Sequence, residues 1–176
     1  ATFFVTNQFS NYQYMIKKEY ESGHSIAVHT YSHNYGKIYE SVDSYVDDFN
    51  QMNQIIYEQT GTYTKMFRFP GGSSNTISRF NKGIVSNVAK TMTDKGYIYF
   101  DWNIDSTDTQ YKDSEKIYQN VISELEKHDK SVVLMHDIKK ANIESVRKII
   151  NYGLENGYTF LGLDESSPEV HHHINN

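Results

Sequence analysis

The chain has 176 residues, which is enough for one domain with a sizeable core. Its 17 Lys and Arg residues against 22 Asp and Glu residues give a mild negative charge without a basic stripe, which argues against a nucleic-acid partner. The absence of cysteine excludes disulfides, thiolate metal sites and cysteine nucleophiles, and no apolar run reaches the roughly 18 residues of a membrane span.

Short apolar runs alternate with longer polar segments along the chain. In chain order, the apolar runs predict strands at residues 1–6, 25–29, 65–69, 97–102, 131–135 and 158–163. The segments between them predict helices at residues 12–22, 42–60, 82–95, 114–127 and 143–156. Glycines stand where four of these helices end, since glycine accepts the left-handed conformation found there: Gly23, Gly61, Gly96 and Gly157. This alternation predicts an α/β fold with a parallel sheet, either a barrel or an open sheet.

Three features concern the two ends of the chain. Residues 1–6 begin abruptly as a buried-type strand, which predicts that the chain is cut from something longer. The last predicted helix has one apolar face, made of residues at helical spacing: Ile143, Val146, Ile149, Ile150 and Leu154. The histidine tract at residues 171–173 is short and is followed by further residues, so it is interpreted as a native tail that can also capture metal ions.

Polar side chains follow four of the predicted strands. His29 closes one strand, Arg68 nearly closes the next, Asp105 and Asp108 follow a third, and His136 follows a fourth. In parallel α/β folds, ligands bind beyond the carboxyl ends of the strands, where loops from several elements converge. The common position of these side chains therefore predicts one functional site.

The segment at residues 29–33 reads His-Thr-Tyr-Ser-His. Neutral imidazole suits zinc, copper, iron and nickel, and a turn or helix start brings side chains four residues apart onto one side. His29 and His33 are therefore candidate metal ligands. Two histidines alone make a weak site, because a catalytic zinc normally has three protein ligands and a water; an isolated pair is more often structural or solvated.

The other candidates each have an alternative interpretation. His136 is either a catalyst or a satisfied residue at the rim of a strand, and Asp108 is either part of the site or a helix cap. Arg68 is either functional or an ordinary surface arginine, although proline and glycines after it favour a backbone that approaches a ligand closely. Trp102 stacks on a sugar ring or fills the core.

Four segments, taken in order, resemble motifs two to five of the polysaccharide deacetylase family (NodB-homology, carbohydrate esterase 4). They are residues 29–33, 68–72, 101–108 and 134–137. The resemblance runs along nearly the whole chain. It implies an incomplete (β/α) barrel of about seven strands, whose first strand is missing from this chain. It also implies one deacetylase-like domain over residues 1–176, truncated at its N-terminus.

The resemblance implies a hydrolase that removes N-acetyl groups from a cell-wall polysaccharide, with peptidoglycan N-acetylglucosamine as the favoured substrate. His29 and His33 would bind a divalent metal, with zinc preferred over cobalt, nickel or manganese. An N-acetylated polysaccharide is then the expected partner. The protein is expected to act as a monomer outside the cell or at its surface.

The family pattern also implies roles for the remaining candidates. His136 would be the general acid, Asp108 would orient it and stabilise its charge, and Arg68 would pair with the general base. The Gly71 N–H would face the oxyanion, and Leu134 would line the pocket for the acetyl methyl. Asp105 matches an acidic position of many relatives, and Trp102 is a candidate for contact with the sugar.

Two departures from the family pattern change what is expected. The Thr-Phe-Asp-Asp-Gly-Pro segment, which supplies the base and the third metal ligand, is not in this chain. The chain as given is therefore expected to be inactive or nearly so. Thr109 stands where the family usually has tryptophan, which predicts an altered wall of the substrate groove. Alternatives are a non-catalytic carbohydrate-binding relative, an O-acetyl xylan esterase and a chitin deacetylase.

Overall fold

Parallel strands with helices between them make up the regular structure of the computed structural model, which describes residues 1–175. These residues form two compact units. The first comprises Ala1–Asp101 together with the segment that begins at Gly162, and the second comprises Trp102–Leu161. Within residues 1–175, none of the helices combines the length and the hydropathy needed to cross a membrane.

The first unit contains a four-stranded sheet in which every neighbouring pair is parallel, in the order β1-β2-β3-β4. Its strands are β1 (Thr2–Val5), β2 (Ser25–Val28), β3 (Met66–Phe67) and β4 (Ile98–Tyr99). Its helices are α1 (Tyr14–Glu21), α2 (Tyr35–Ile38), α3 (Val42–Thr60) and α4 (Ile84–Asp94), with short 3-10 turns at Ser10–Tyr12 and Ile77–Phe80. The prediction of an α/β fold with a parallel sheet is confirmed.

The longest helix, α3, begins and ends where the sequence predicts. The Ser41 hydroxyl accepts the Ser44 N–H at 3.0 Å, which satisfies one of the unpaired donors of the first turn. Gly61 follows the last turn with φ of +77°, a left-handed conformation that costs glycine little. The buried face of α3 carries Phe49, whose ring packs edge-on against Phe67 of β3 and anchors the helix to the sheet.

The second unit contains a parallel pair of strands, β5 (Ile104–Asp105) and β6 (Val133–Leu134). Two helices follow these strands, α5 (Ser114–Leu125) and α6 (Lys140–Glu155). The Asp113 carboxylate accepts the Glu115 N–H at 2.9 Å and so caps α5. The core of the unit is a small apolar cluster from β5 and both helices: Ile104, Val121, Ile122, Leu125 and Ile149.

Two strand predictions are wrong. The predicted strand at residues 97–102 ends at Tyr99, and β5 begins separately at Ile104, because the Asp101 N–H donates to the Val170 carbonyl instead of extending the ladder of β4. The predicted strand at residues 158–163 is irregular. Near its end, the Leu163 N–H donates to the hydroxyl of Thr2 at 2.7 Å, and a backbone group bonded to a side chain cannot belong to a strand ladder.

The predicted apolar face of the last helix is also wrong. Of its five members only Ile149 is buried, while Ile143, Ile150 and Leu154 are exposed. Besides Ile149, the face that α6 buries carries small or polar residues: Asn142, Ser145 and Gly153. Asn142 donates to Asp108, so a polar contact that apolar periodicity does not reveal contributes to the orientation of α6.

Candidate functional site

His29 and His33 lie just beyond the carboxyl end of β2, in the first unit. His29 Nδ1 lies 2.9 Å from the carbonyl oxygen of Arg68, which follows the neighbouring strand β3. A carbonyl only accepts, so Nδ1 carries the proton and the neutral ring presents Nε2 as a ligand atom. The ring centroids of His29 and His33 are 5.0 Å apart. We call these two residues the histidine pair.

The turn between the two histidines has an unusual backbone. Thr30 has φ of +83° and His33 has φ of +50°, and the left-handed region is costly for a β-branched residue such as threonine. The carboxylate of Asp48, fully buried on α3, accepts the Tyr31 N–H at 2.6 Å and the Ser32 N–H at 3.1 Å. These hydrogen bonds hold the turn in the conformation that places both imidazoles on one side.

The donor chemistry of the histidine pair fits a divalent ion such as zinc. The hydrogen bond from His29 to a backbone carbonyl is the arrangement by which metal-binding histidines are usually oriented. The number of ligands is one short, since a catalytic zinc normally has three from the protein. Among residues 1–175, no group of three or more His, Asp or Glu side chains is placed to hold a metal ion.

Arg68 is buried, which contradicts the interpretation as an ordinary surface arginine. Its Nε donates to the Phe100 carbonyl at 2.8 Å and its Nη2 to the Asp101 carbonyl at 3.0 Å, and the guanidinium lies 4.0 Å from the centroid of the Phe4 ring. Burial lowers the pKa of Arg68 to about 10, and the negative charge of Asp101 opposes that shift. The guanidinium therefore remains charged at neutral pH.

The loop after Arg68 places two glycines in the left-handed region, with φ of +76° at Gly71 and +78° at Gly72. The carbonyls beside them are held by side chains: Tyr39 donates to Pro70 at 2.9 Å, and Asn75 donates to Gly72 at 2.9 Å. Gly71 itself is exposed, and its N–H donates to no other group of residues 1–175. The loop is thus held by side-chain hydrogen bonds and leaves one backbone donor without a partner among the described residues, as an oxyanion site requires.

Asp101 is a fully buried carboxylate to which the sequence reading assigned no role. It accepts the N–H and the hydroxyl of Ser73, at 2.8 and 2.5 Å, and the N–H of His172 at 2.9 Å. His171 stacks on the Tyr99 ring with centroids 3.8 Å apart. His171 and His172 therefore pack against the Ala1–Asp101 part of their own unit, and Asp101 connects this tail to Ser73, which follows the two glycines.

Asp108 and His136 follow β5 and β6, the parallel strands of the second unit. His136 Nδ1 lies 2.8 Å from Asp108 Oδ1, and the His136 backbone N–H donates to Asp108 Oδ2 at 2.6 Å. Asp108 is 1% exposed, whereas the His136 side chain is 39% exposed. Because a carboxylate only accepts, Nδ1 carries a proton in both states of the ring, and Nε2 is the atom that gains and loses one. We call these two residues the dyad.

The pKa of His136 is raised above its ordinary value. The largest cause is the hydrogen bond to Asp108, followed by burial, which opposes it; the charges of Asp108 and Asp105 add to the increase, and Lys139 lowers the pKa. The shift moves the equilibrium towards the imidazolium form, which is the form that a general acid uses.

This shift predicts a pH dependence of stability. Because the pKa of His136 is higher in the folded state than its ordinary value of 6.5, protonation of this ring stabilises the fold. The contribution is complete at pH values below 6.5 and is lost as the pH rises through the pKa of the folded state. The difference in unfolding free energy between wild type and His136→Gln should therefore shrink as the pH rises from 6 to 9. Urea titrations across this range measure it. His128→Gln, in the same unit, is the control, and a difference independent of pH would contradict the raised pKa.

The remaining predicted residues of the second unit lie around β5 and β6. Asp105 pairs with Leu134 in the ladder, and its exposed carboxylate accepts the Thr107 N–H at 2.8 Å, which is a local turn contact. Leu134 and Trp102 are half-buried. Asp108 does not cap a helix, since Asp113 caps α5. The substrate contacts of Asp105, Leu134 and Trp102 remain predictions.

Sequence reasoning missed two positioning residues, Asp48 and Asn142. Asp48 stands next to Phe49 on the buried face of α3, so a charged residue on a mostly apolar helix face was a usable signal. Asn142 donates to Asp108 Oδ2 at 2.8 Å, and no periodicity marks it, because the buried face of α6 is largely polar.

Comparison with known proteins identifies the family. The family model described as polysaccharide deacetylase matches residues 1–92. The catalytic domain of peptidoglycan N-acetylglucosamine deacetylase from Eubacterium rectale is 48% identical to the chain, with a TM-score of 0.97, covering 100% of this chain and 81% of that one.

Two curated Bacillus proteins match at lower identity. A putative polysaccharide deacetylase of Bacillus subtilis is 27% identical over 97% of this chain, and a peptidoglycan-N-acetylglucosamine deacetylase of Bacillus cereus is 30% identical over 95% of it. The chain spans 60% of the length of each of these two relatives. The resemblance drawn from the motif residues is thus confirmed, and the chain belongs to the polysaccharide deacetylase family.

Proposed function

We propose that this chain carries the histidine pair and the dyad of a metal-dependent hydrolase that removes N-acetyl groups from a cell-wall polysaccharide, with peptidoglycan N-acetylglucosamine as the favoured substrate. The observation that carries the proposal is the dyad, in which a buried carboxylate raises the pKa of a half-exposed imidazole. Relatives from Eubacterium rectale and Bacillus cereus bear the name of that activity, which supports the choice of substrate.

Amide hydrolysis needs a proton on the leaving nitrogen, because an amine anion is a poor leaving group. His136 is suited to deliver it, since its raised pKa favours the form of the ring that carries a proton on Nε2. Asp108 holds Nδ1 and stabilises the positive charge of the ring. After transfer, the ring remains protonated on Nδ1 and accepts the next proton at Nε2.

Acyl transfer also needs a donor for the negative charge that develops on the carbonyl oxygen. The N–H of Gly71 is the donor we assign to this role, because hydrogen bonds to the Pro70 and Gly72 carbonyls hold the loop after Arg68 and no described residue competes for this N–H. Arg68 contributes a buried positive charge next to the loop, which we assign to pairing with the general base.

The proposed substrate is part of the cell wall. We therefore infer that the protein acts outside the cell or at its surface.

The histidine pair would hold the metal. His29 and His33 would supply two imidazole ligands, with zinc preferred over cobalt, nickel or manganese. When bound, such an ion lowers the pKa of water and polarises the substrate carbonyl. Among residues 1–175, no third His, Asp or Glu side chain is placed to complete this metal site.

Zinc binding tests the histidine pair directly. Replacing His29 or His33 with alanine should lower the zinc affinity of the 176-residue chain by about 100-fold, since one imidazole alone is a weak site. Calorimetric titration with zinc chloride measures it. His173→Gln is the control, because it removes a histidine of the tract and leaves the pair intact. If His173→Gln lowered the zinc affinity and the alanine variants of His29 and His33 did not, the histidine tract would be the site that captures the ion.

Acetate release tests the activity. We expect the 176-residue chain alone to release acetate from N-acetylglucosamine-containing peptidoglycan at least about 10³-fold more slowly than the protein made from the full reading frame that encodes it. In that protein, His136→Gln should lower the rate by about 10³-fold. Activity on acetylxylan alone would replace the proposed N-deacetylase with an esterase. Binding of peptidoglycan without acetate release would favour a non-catalytic relative.

A further inference from the structure

Asn142 lies in the first turn of α6 and is 1% exposed. Its side-chain nitrogen donates to Asp108 Oδ2 at 2.8 Å and to the His136 carbonyl at 2.8 Å. One amide group therefore contacts both members of the dyad. Its backbone is fixed in turn, because its N–H donates to the Lys139 carbonyl at 3.1 Å and its carbonyl accepts the Ser145 hydroxyl at 2.8 Å.

The orientation of the amide follows from its neighbours. Both neighbouring atoms are acceptors, so the amide nitrogen faces them, and the reverse orientation would place Oδ1 against a carboxylate. Asn142 Oδ1 is buried and meets no hydrogen-bond donor within residues 1–175. A buried unsatisfied oxygen is unfavourable, so packing alone would favour an apolar residue here.

The contacts of Asp108 show what the amide contributes. Oδ1 faces His136 Nδ1, while Oδ2 accepts both the His136 backbone N–H and the Asn142 amide. With two donors on Oδ2, the carboxylate cannot rotate about its Cβ–Cγ bond without losing one of them. Asn142 thereby keeps Oδ1 directed at the ring nitrogen that must carry the proton.

We propose that Asn142 is a positioning residue for the dyad, which holds the Asp108 carboxylate and the His136 backbone together and so selects the ring tautomer with the proton on Nδ1. Its importance for catalysis rests on the proposed function, because Nε2 of His136 is the atom assigned to proton delivery. The selection of the tautomer is a property of the second unit itself.

Other charged groups near His136 do not replace Asn142. Lys139 directs its ammonium to the carbonyls of Asp108 and Thr109, at 2.9 and 3.1 Å, and so bonds the backbone rather than the carboxylate. The Asp105 carboxylate is bonded to the Thr107 N–H. Within residues 1–175, Asn142 and His136 are thus the side chains that donate to the Asp108 carboxylate.

Nuclear magnetic resonance of the ¹⁵N-labelled 176-residue chain tests the inference without any activity measurement. Two-bond correlations of the histidine rings, recorded from pH 5 to 9, report the tautomer and the titration midpoint, and the His136 signals are assigned by their loss in His136→Gln. In wild type we expect the neutral ring to carry its proton on Nδ1. In Asn142→Ala we expect loss of that preference and a midpoint that moves towards 6.5.

Ser145→Ala is the matched control, since it removes a buried hydrogen bond to the Asn142 carbonyl without touching the dyad, and it should keep the wild-type tautomer. If Asn142→Ala fails to fold, Asn142→Ser replaces it, because its hydroxyl is too short to reach both acceptors. A wild-type tautomer and midpoint in a folded Asn142 variant would overturn the inference. The wild-type His136 ring could carry its proton on Nδ1 while the protein made from the full reading frame releases no acetate. That result would refute the proposed function and leave the inference about Asn142 intact.

Discussion

Replacing Asp48 with alanine is expected to lower the free energy of unfolding by about 4 kcal/mol, because two half-buried backbone donors would lose their acceptor. These donors are the N–H groups of Tyr31 and Ser32, at 2.6 and 3.1 Å from the Asp48 carboxylate. They follow Thr30, whose positive φ is itself unfavourable and persists only while its surroundings hold it. The histidine pair should lose its fixed geometry together with this stability.

Urea unfolding monitored by circular dichroism measures the effect of Asp48→Ala. Asp47→Ala is the matched control, since it removes the same residue type from the same helix at an exposed position, and it should change stability by less than about 0.5 kcal/mol. Zinc titration of the two variants separates the histidine pair from the rest of the fold. Equal stability of the two variants would show that Asp48 does not hold the turn.

Replacing Asp108 with asparagine is expected to have the next largest effect, about 3 kcal/mol of unfolding free energy near neutral pH. The carboxylate accepts three hydrogen bonds, two from His136 and one from Asn142. An amide of the same shape has one acceptor atom and would turn a donor towards another donor. The pKa of His136 should fall towards 6.5 or below, because the hydrogen bond that raises it is weakened and the nearby negative charge is removed.

The histidine titration and a urea titration at pH 7 measure these two effects of Asp108→Asn. Asp137→Asn makes the same change of charge at the exposed residue next to His136, and it should leave the stability nearly unchanged. If the pKa of His136 fell equally in both variants, general electrostatics rather than the direct contact with Asp108 would be responsible.

The longer helices of this chain could be predicted from local signals, whereas the four-residue helix α2 was not predicted. Residues 42–60 were predicted as helical and form α3 with the same bounds, because the Ser41 cap and the left-handed Gly61 are both encoded within a few residues of the helix ends. The strands could be predicted less well. A two-residue strand such as β5 has too few residues for a period, and whether it pairs depends on β6, which lies far along the chain.

The amino-acid sequence is sufficient to predict the α/β class, the positions of the long helices and the motif residues that mark the family, because each depends on local propensity or on residue identity. The groups that orient these motif residues are apparent from the folded chain alone. Asp48 reaches the turn of the histidine pair from α3, and Asn142 reaches Asp108 from α6. Hydrogen bonds between residues distant in sequence leave no periodic signal, since one donor and one acceptor at the right distance are enough.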